Sequence, residues 1–451
     1  MSLKPPTHII LIIMDTVGAK HCSVYGHGRE TTPGLSRIAE EGMLYERCFA
    51  PSSWTLPSHA SLFSGLYPGE HRVKIEDTIF TGNFYTLPEI MTEMGYYTVG
   101  LSSNYFISRP WNFHWGFAEF YDMDTMFNYD RYCQMRLSIK NNRNNYQGTW
   151  QEIAFIFKKA FNDKYYQYPL LHLFDRIYRL HWGDCIRKSF FSTQKTFRLA
   201  KNIIKKLRDK RIFMFINVME AHAKYTPPKK YRRLFKDEIE DGNRQELLYE
   251  QEIACLDDQI IDFYTFLQAQ GLERENLLII SSDHGEAFNE HGHSGHLFTV
   301  YNEIIHIPLI VKYPASYRIK GTDSRLVQLH DLFATLLEVV DAPVPSPASS
   351  RSLFGPPREV VLVENLDLNP WKVNVKQRQE QAKPYMQPCR AVIDRDFFKL
   401  IEWYDGRLEL YDLNRDFGET RNLLEEPAMA PKVQALQDLL QKNCGPFKRL
   451  S

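Results

Sequence analysis

Four stretches of the sequence carry groups able to hold a divalent cation and activate a hydroxyl. Asp15 follows the apolar run from His8 to Met14, and Thr55 and His59 stand in Ser52-Ser-Trp-Thr-Leu-Pro-Ser-His59. Glu220 and His222 follow the run from Arg211 to Met219, and Asp283-His284-Gly-Glu286 follows Asn276 to Ser282. Asp15, Asp283 and His284 offer hard oxygen and imidazole ligands, which suit one divalent ion such as Mn, Mg, Zn or Ca. Without a cation, three ionisable groups at neighbouring strand ends would repel one another or stay buried and unsatisfied. Thr55 stands at the entry to a helix, where free backbone N–H groups favour a bound anion. A cation beside its hydroxyl would lower its pKa, making Thr55 both ligand and nucleophile, and would polarise the oxygens of a tetrahedral anionic ester. The chemistry expected is ester cleavage at phosphorus or sulfur.

The elements that must position these groups read as strands alternating with helices. His8 to Met14 is a continuous apolar run, as expected of a strand buried on both faces of a parallel sheet. Thr32, Pro33 and Gly42 read as cap, first turn and stop of a helix, and Thr86 with Glu89 as a capping box. Residues 245–270 predict a long helix ending at Gly271, and 327–340 another. Open α/β sheets bind ligands beyond the carboxyl ends of their strands, so all four stretches converge on one sheet edge. Residues 106–190 break the rhythm and predict a helical insertion, with 150–161 and 170–180 as amphipathic helices. After the Pro/Ser-rich stretch 343–352 come three apolar segments that predict antiparallel strands, with Asp405-Gly406 as a hairpin turn. The expected organisation is a large α/β catalytic domain over 1–345, with a mainly parallel sheet, and a smaller α+β unit with an antiparallel sheet over 346–451.

Composition narrows the partners. The 451 residues carry 55 basic and 55 acidic side chains, which removes the electrostatic footprint of a dedicated nucleic-acid binder. Seven cysteines without a Cys-x-x-Cys pair argue against a disulfide scaffold and a zinc ribbon. The first apolar run stops at Asp15, too short for a signal-peptide core or a membrane span. The expectation is a cytoplasmic protein acting on a small anionic ester, with no nucleic acid and no membrane span; a homo-oligomer is compatible with the sequence.

The strings IIMDT, TLPSHASLFSGLYP, TLPEIMTEMGYYTVG, SSDHGE followed by EHGHSGH, and ELYDLNRDFGETRNL resemble, in that order, the sulfatase family of the alkaline phosphatase superfamily. The resemblance implies an alkaline-phosphatase-like three-layer sandwich and a metal-dependent hydrolase of sulfuric or phosphoric esters. It places His222 at a position that contacts a non-bridging oxygen or assists the leaving group, and His296 near a family lysine, with His291 and His293 as competitors. A second metal held by His293 or His296 with His222 stays open. His59 stands where the family has an arginine bracing the nucleophile, and either braces Thr55 or caps the helix. Glu220 and Glu286 read as supporting or solvated groups, and His21 and His27 as packing in the loop after Asp15.

Where this sequence departs from the family, the chemistry changes. The family's Cys-x-Pro-Ser-Arg motif, whose Cys becomes formylglycine, is here Thr55-Leu-Pro-Ser-His59, so no formylglycine is expected. A formylglycine hydrate sheds sulfate by collapsing to its aldehyde, whereas a sulfo-threonine has no such exit and a phospho-threonine is open to in-line attack by water. Phosphate or phosphonate esters are therefore expected ahead of sulfate esters. The family's second aspartate after the first strand is Thr16, and its Lys/His-bearing segment is Leu101-Ser-Ser-Asn104. Two other readings remain: a phosphoethanolamine- or phosphoglycerol-type transferase, and a catalytically inactive binding protein.

Overall fold

All seven residues of the first strand, β1 (His8–Met14), are buried, as required of a strand enclosed on both edges and both faces. The protein is seen here in a computed structural model that describes residues 4–73, 80, 82, 84–122, 192–235, 244–296, 298–346, 348–366 and 383–447. After β1 come β2 (Met43–Phe49), β3 (Tyr97–Ser102), β4 (Glu119–Tyr121), β5 (Ile212–Val218) and β6 (Leu277–Ser282). A small hairpin of β7 (Ala287–Phe288) and β8 (Ser294–Gly295) precedes β9 (Leu309–Lys312) and β10 (Gly321–Gln328). The large sheet has the order β10-β2-β9-β6-β1-β5-β3-β4. β9 runs antiparallel to both its neighbours, and the other pairings are parallel. The carboxyl ends of β1, β2, β3, β5 and β6 consequently share one edge.

Alternation along β1 creates the three layers. Ile9, Leu11 and Ile13 pack with apolar residues of the helices Thr55–Ser64, Leu87–Glu93 and Asp331–Val339. Ile10, Ile12 and Met14 face the other way, onto the helices Pro33–Glu40, Thr193–Lys206 and Arg244–Ala269. Burying each such side chain contributes about 1.5–3 kcal/mol. The Thr86–Glu89 capping box forms as expected. The helix at Pro33 is held differently: Asp257, on the facing long helix, accepts from the amides of Gly34 at 2.6 Å and Leu35 at 2.8 Å, while Thr32 Oγ1 accepts from Val24 N at 3.1 Å.

The helix expected over 327–340 starts only at Asp331, because Val327 and Gln328 end β10. That strand forms the sheet edge and its first five residues are exposed or half-buried, so it lacks the apolar run that reveals an interior strand. Of the expected insertion, residues 106–122 contribute the turn Arg109–Trp111 and β4, which extends the sheet beyond β3. Both helices expected between 150 and 180 lie outside the described residues.

The second sheet is antiparallel, in the order β11 (Val360–Asn365), β12 (Cys389–Asp394), β13 (Phe398–Trp403), β14 (Leu408–Asp412). Gly406 turns the last hairpin at φ 89°. The helix Ala430–Cys444 covers one face through Leu436 and Leu440. The other face packs against Phe49, Ile304, Ile305 and Leu326 of the large unit. The fold is thus mixed α/β, with a large mostly parallel sheet and a separate small antiparallel one. Among the described residues no helix is long and apolar enough to cross a membrane.

Candidate active site

The ends of β1 and β6 are tied together by Ser282, whose hydroxyl donates to the carbonyls of Met14 at 2.5 Å and His284 at 2.8 Å and accepts from Val17 N at 3.0 Å. That clamp sets Asp15 beside Asp283 and His284, and all three are fully buried. Their ligand atoms lie within 4.8 Å of one another. Asp283 Oδ1 accepts from the amides of Thr16 at 3.1 Å and His284 at 2.9 Å. Asp15 Oδ2 accepts from Asn104 Nδ2 at 2.6 Å. The remaining oxygens, Asp15 Oδ1 and Asp283 Oδ2, are buried with no hydrogen-bond partner.

Thr16 is held in the left-handed region at φ 62°, which costs a β-branched residue on the order of 1–2 kcal/mol. Its hydroxyl donates to the carbonyls of Asp15 at 2.7 Å and Ala221 at 3.0 Å, and its own carbonyl accepts from Tyr249 Oη at 2.7 Å. The strained turn aims its amide at Asp283. Gly285 is needed for a different reason: a Cβ there would stand 2.2 Å from the Glu303 carbonyl oxygen.

His284 donates from Nδ1 to the Gly285 carbonyl at 2.9 Å. A carbonyl can only accept, so the proton sits on Nδ1 and the Nε2 lone pair is free to bind a proton or a cation. Thr55 Oγ1, at the first position of the helix Thr55–Ser64, donates to that Nε2 at 3.2 Å. His59, one turn on, donates from Nδ1 to the Thr55 carbonyl at 3.0 Å and lies 3.6 Å from Asp283 Oδ2. Burial holds its imidazole down to about 3, so it is a neutral brace on the backbone of the Thr55 turn. Asn217 Nδ2 supports it by donating to Nε2 at 3.4 Å.

These groups fit a divalent cation. Burial, reinforced by the Asp283 charge, pushes the Asp15 carboxyl up, and burial pushes Asp283 up to about 6 and His284 down to about 4. Each group is being driven towards neutrality by a site with two orphaned carboxylate oxygens and an imidazole lone pair. A bound dication answers all three demands together, and the oxygen-rich donor set is that of a hard or borderline metal.

The remaining histidines sort by geometry. The His296 ring centroid is 4.5 Å from that of His284 and 5.3 Å from that of His222. His296 also meets Glu286, Nδ1 to Oε1, at 3.0 Å, and Tyr225 Oη donates to the other Glu286 oxygen at 3.0 Å. Burial opposes charge on His296, but the carboxylates of Glu286, Asp15 and Asp283, with Glu286 foremost, together outweigh it and lift the imidazole above its ordinary value. Half-buried His222 donates from Nδ1 to the Ala223 carbonyl at 2.7 Å. His291 and His293 are not brought to this cluster. His291 stacks on Tyr301 at 3.8 Å and meets Glu303 at 2.8 Å, and His293 bonds Thr299 at 3.1 Å and packs on Tyr385. Glu220 accepts from Thr193 Oγ1 at 2.8 Å.

Sequence reasoning missed the parts that Asn104 and Thr16 take in the site, and left Glu286 open between a supporting and a solvated group. Asn104 follows the carboxyl end of β3, so inspection of every strand end, not only those bearing ionisable groups, would have found it. The Thr16 contribution is a main-chain amide and leaves no signal in residue type.

The sulfatase family model matches residues 7–342, and the model of the N-sulphoglucosamine sulphohydrolase C-terminal region matches 289–444. The chain is similar to an N-acetylglucosamine-6-O-sulfatase of Bacteroides thetaiotaomicron, 23% identical over 98% of this chain and 87% of the relative. It is also similar to an arylsulfatase of Clostridium perfringens, 21% identical over 98% of this chain and 94% of the relative. The phosphonate monoester hydrolase of Agrobacterium radiobacter shares the fold at a TM-score of 0.69, 16% identity and coverage of 97% and 95%. A protein solved with its substrate D-glucosamine-2-N,6-O-disulfate shares it at 0.67, 17% identity and 99% of both chains.

Proposed function

The chain belongs to the sulfatase family of ester hydrolases, and from that premise we propose that it cleaves phosphate or phosphonate esters in preference to sulfate esters, with Thr55 as the nucleophile. The observation that carries this reading is the Thr55 hydroxyl, which sits at a helix N-terminus 3.2 Å from His284 Nε2; by the resemblance of Thr55-Leu-Pro-Ser-His59 to the family motif it would take the place of the aldehyde precursor. The phosphonate monoester hydrolases that share the fold support it, since the scaffold accommodates esters of phosphorus.

Asp15, Asp283 and His284, with Thr55 Oγ1, would hold a divalent ion, which when bound supplies positive charge to acidify a hydroxyl and polarise ester oxygens. Thr55 Oγ1 gives up its proton to solvent water, from which His296 is reprotonated after each turnover, and bonds to phosphorus as the bond from phosphorus to the leaving oxygen breaks. The free N–H groups of the first helical turn face the anionic oxygens. His296, kept charged by Glu286, gives its proton to the leaving oxygen, and His222 contacts a non-bridging oxygen. Water then attacks phosphorus, the bond to Thr55 Oγ1 breaks, and the hydroxyl is restored with release of the phosphate or phosphonate.

The test is turnover of p-nitrophenyl phosphate, a p-nitrophenyl phosphodiester, a p-nitrophenyl phosphonate and p-nitrophenyl sulfate with Mn, Mg, Zn or Ca added. The phosphorus esters are expected to show the higher kcat/KM, and Thr55→Ala to lose at least about a hundredfold in kcat. Full activity in that variant would remove Thr55 from the reaction, and faster turnover of the sulfate would overturn the substrate class.

A further inference from the structure

A second set of ligating groups lies in the loop that leaves Asp15. The loop makes two 3-10 turns, Ala19–His21 and Ser23–Tyr25, and returns along the long helix Arg244–Ala269. His21 Nδ1 and His27 Nε2 approach the same atom of that helix, Glu250 Oε1, at 3.2 and 3.0 Å. The three ligand atoms lie within 4.8 Å of one another. A tetrahedral zinc with bonds of about 2.0–2.1 Å spaces its ligands about 3.3 Å apart, so the two measured edges match a zinc coordination shell. The His21 edge also has hydrogen-bond geometry, whereas His27 Nε2 is buried and, despite its distance, has no hydrogen-bond partner.

The surroundings also suit a cation. Arg29 Nη1 donates to the other oxygen, Glu250 Oε2, at 2.5 Å, and orients the carboxylate as outer partners of metal ligands do. Glu246 Oε1 is 3.9 Å from His21 Nδ1, and Glu246 and Glu290 form a further ligand group with His21. Three carboxylates stand against two cationic side chains, Arg29 and Lys20, the latter paired to Glu290 at 2.7 Å. His21 is rigidly placed: its carbonyl accepts from Thr31 Oγ1 at 2.6 Å, and its ring packs edge-on against Tyr249 and Phe288. The side chains of His21 and Glu250 are 0% and 1% exposed, whereas those of His27 and Glu246 are 19% and 29% exposed. The cluster is closed inside and open to an entering ion outside.

We propose that His21, His27 and Glu250 form a second divalent-cation site of zinc type, with its fourth position open to water, that is separate from the Asp15 group. Two imidazoles and a carboxylate are a zinc donor set. No ligand is shared with the Asp15 group, and the ion would fasten the loop carrying Thr16 to the long helix.

The test counts zinc by elemental mass spectrometry on the full chain, loaded with zinc and dialysed to remove loose ion. Asp283→Asn, which damages the first site, and His27→Gln, at a partly exposed position, should each bind one zinc ion fewer per chain than the parent. His27→Cys, which restores a zinc ligand, should recover the lost ion. Zinc should also raise the thermal midpoint of Asp283→Asn and leave that of the Asp283→Asn/His27→Gln double variant unmoved. Equal zinc content in the parent and His27→Gln, with both folded by circular dichroism, would overturn the proposal and leave His21, His27, Glu250 and Arg29 as a metal-free ion cluster. This outcome is independent of which ester the Thr55 site cleaves.

Discussion

Glu286 touches neither Thr55 nor the Asp15 group in the contacts described, yet it controls a proton beside them. Its carboxylate meets His296 at 3.0 Å and is itself fixed by Tyr225 at 3.0 Å. Replacing it by glutamine keeps the shape and removes the charge that holds a proton on His296 against burial. The imidazole of Glu286→Gln should therefore lose its proton at lower pH, and the alkaline limb of the kcat profile should move down by about one pH unit. A purely structural role would lower kcat at all pH values and leave the limb in place. Asp15, Thr55, Asp283 and His284 were legible in the sequence because each ionisable or hydroxyl group followed a recognisable strand. Asn104 was not, because a neutral amide at a strand end carries no sign of the carboxylate it will face.

At the level of elements, the helix Thr55–Ser64 is buried at every position, and the polar residues along it must find partners inside the protein. Ser61 does so through His71, whose Nε2 donates to the Ser61 hydroxyl at 3.0 Å while Nδ1 accepts from Val73 N at 3.0 Å. Burial holds the His71 imidazole down to about 3, against an ordinary 6.5. The unfolded chain takes up a proton near pH 6.5 that the folded chain refuses until about pH 3, so this residue makes stability fall as pH drops through that window. In His71→Asn the slope of unfolding free energy against pH should flatten by about 1.4 kcal/mol per pH unit between pH 6 and 4. Urea titrations at several pH values measure it, and an unchanged slope would show that His71 is charged in the fold. Interior strands and capping boxes were legible because their patterns are local. The edge strand β10 was not, since half its residues face solvent and its pairing partner β2 lies far away in sequence.

Across the molecule, the small sheet completes the large unit. One apolar core joins Phe49, Ile304, Ile305 and Leu326 to Val363, Ile393, Ile401 and Trp403. Buried Lys399 pairs with Glu419 at 2.6 Å and donates to the Val300 carbonyl at 2.6 Å, binding the small sheet to the segment that follows His296. Arg358 likewise reaches back to Asp331, Tyr67 and His330. A chain ending at residue 345 should consequently lose these partners and be recovered mainly as aggregate; a soluble, monomeric product with native-like circular dichroism would contradict the shared core. The two sheets were legible as a change of hydrophobic pattern, but their common core was not, because it is assembled from faces that are each ordinary when read alone.

The sheet order also bears on how the protein is made. β1 is synthesised well before β5 and β6, yet it lies between them, the latter ending at Ser282. At about 5–20 residues per second, translation leaves His8–Met14 without either neighbour for roughly ten seconds or more. During that interval an unpaired strand with six hydrophobic-core residues is a natural substrate for chaperones. Asp15 meets Asp283 and His284 only after about two-thirds of these 451 residues have been made, so a cation held by this group would be taken up only after that point.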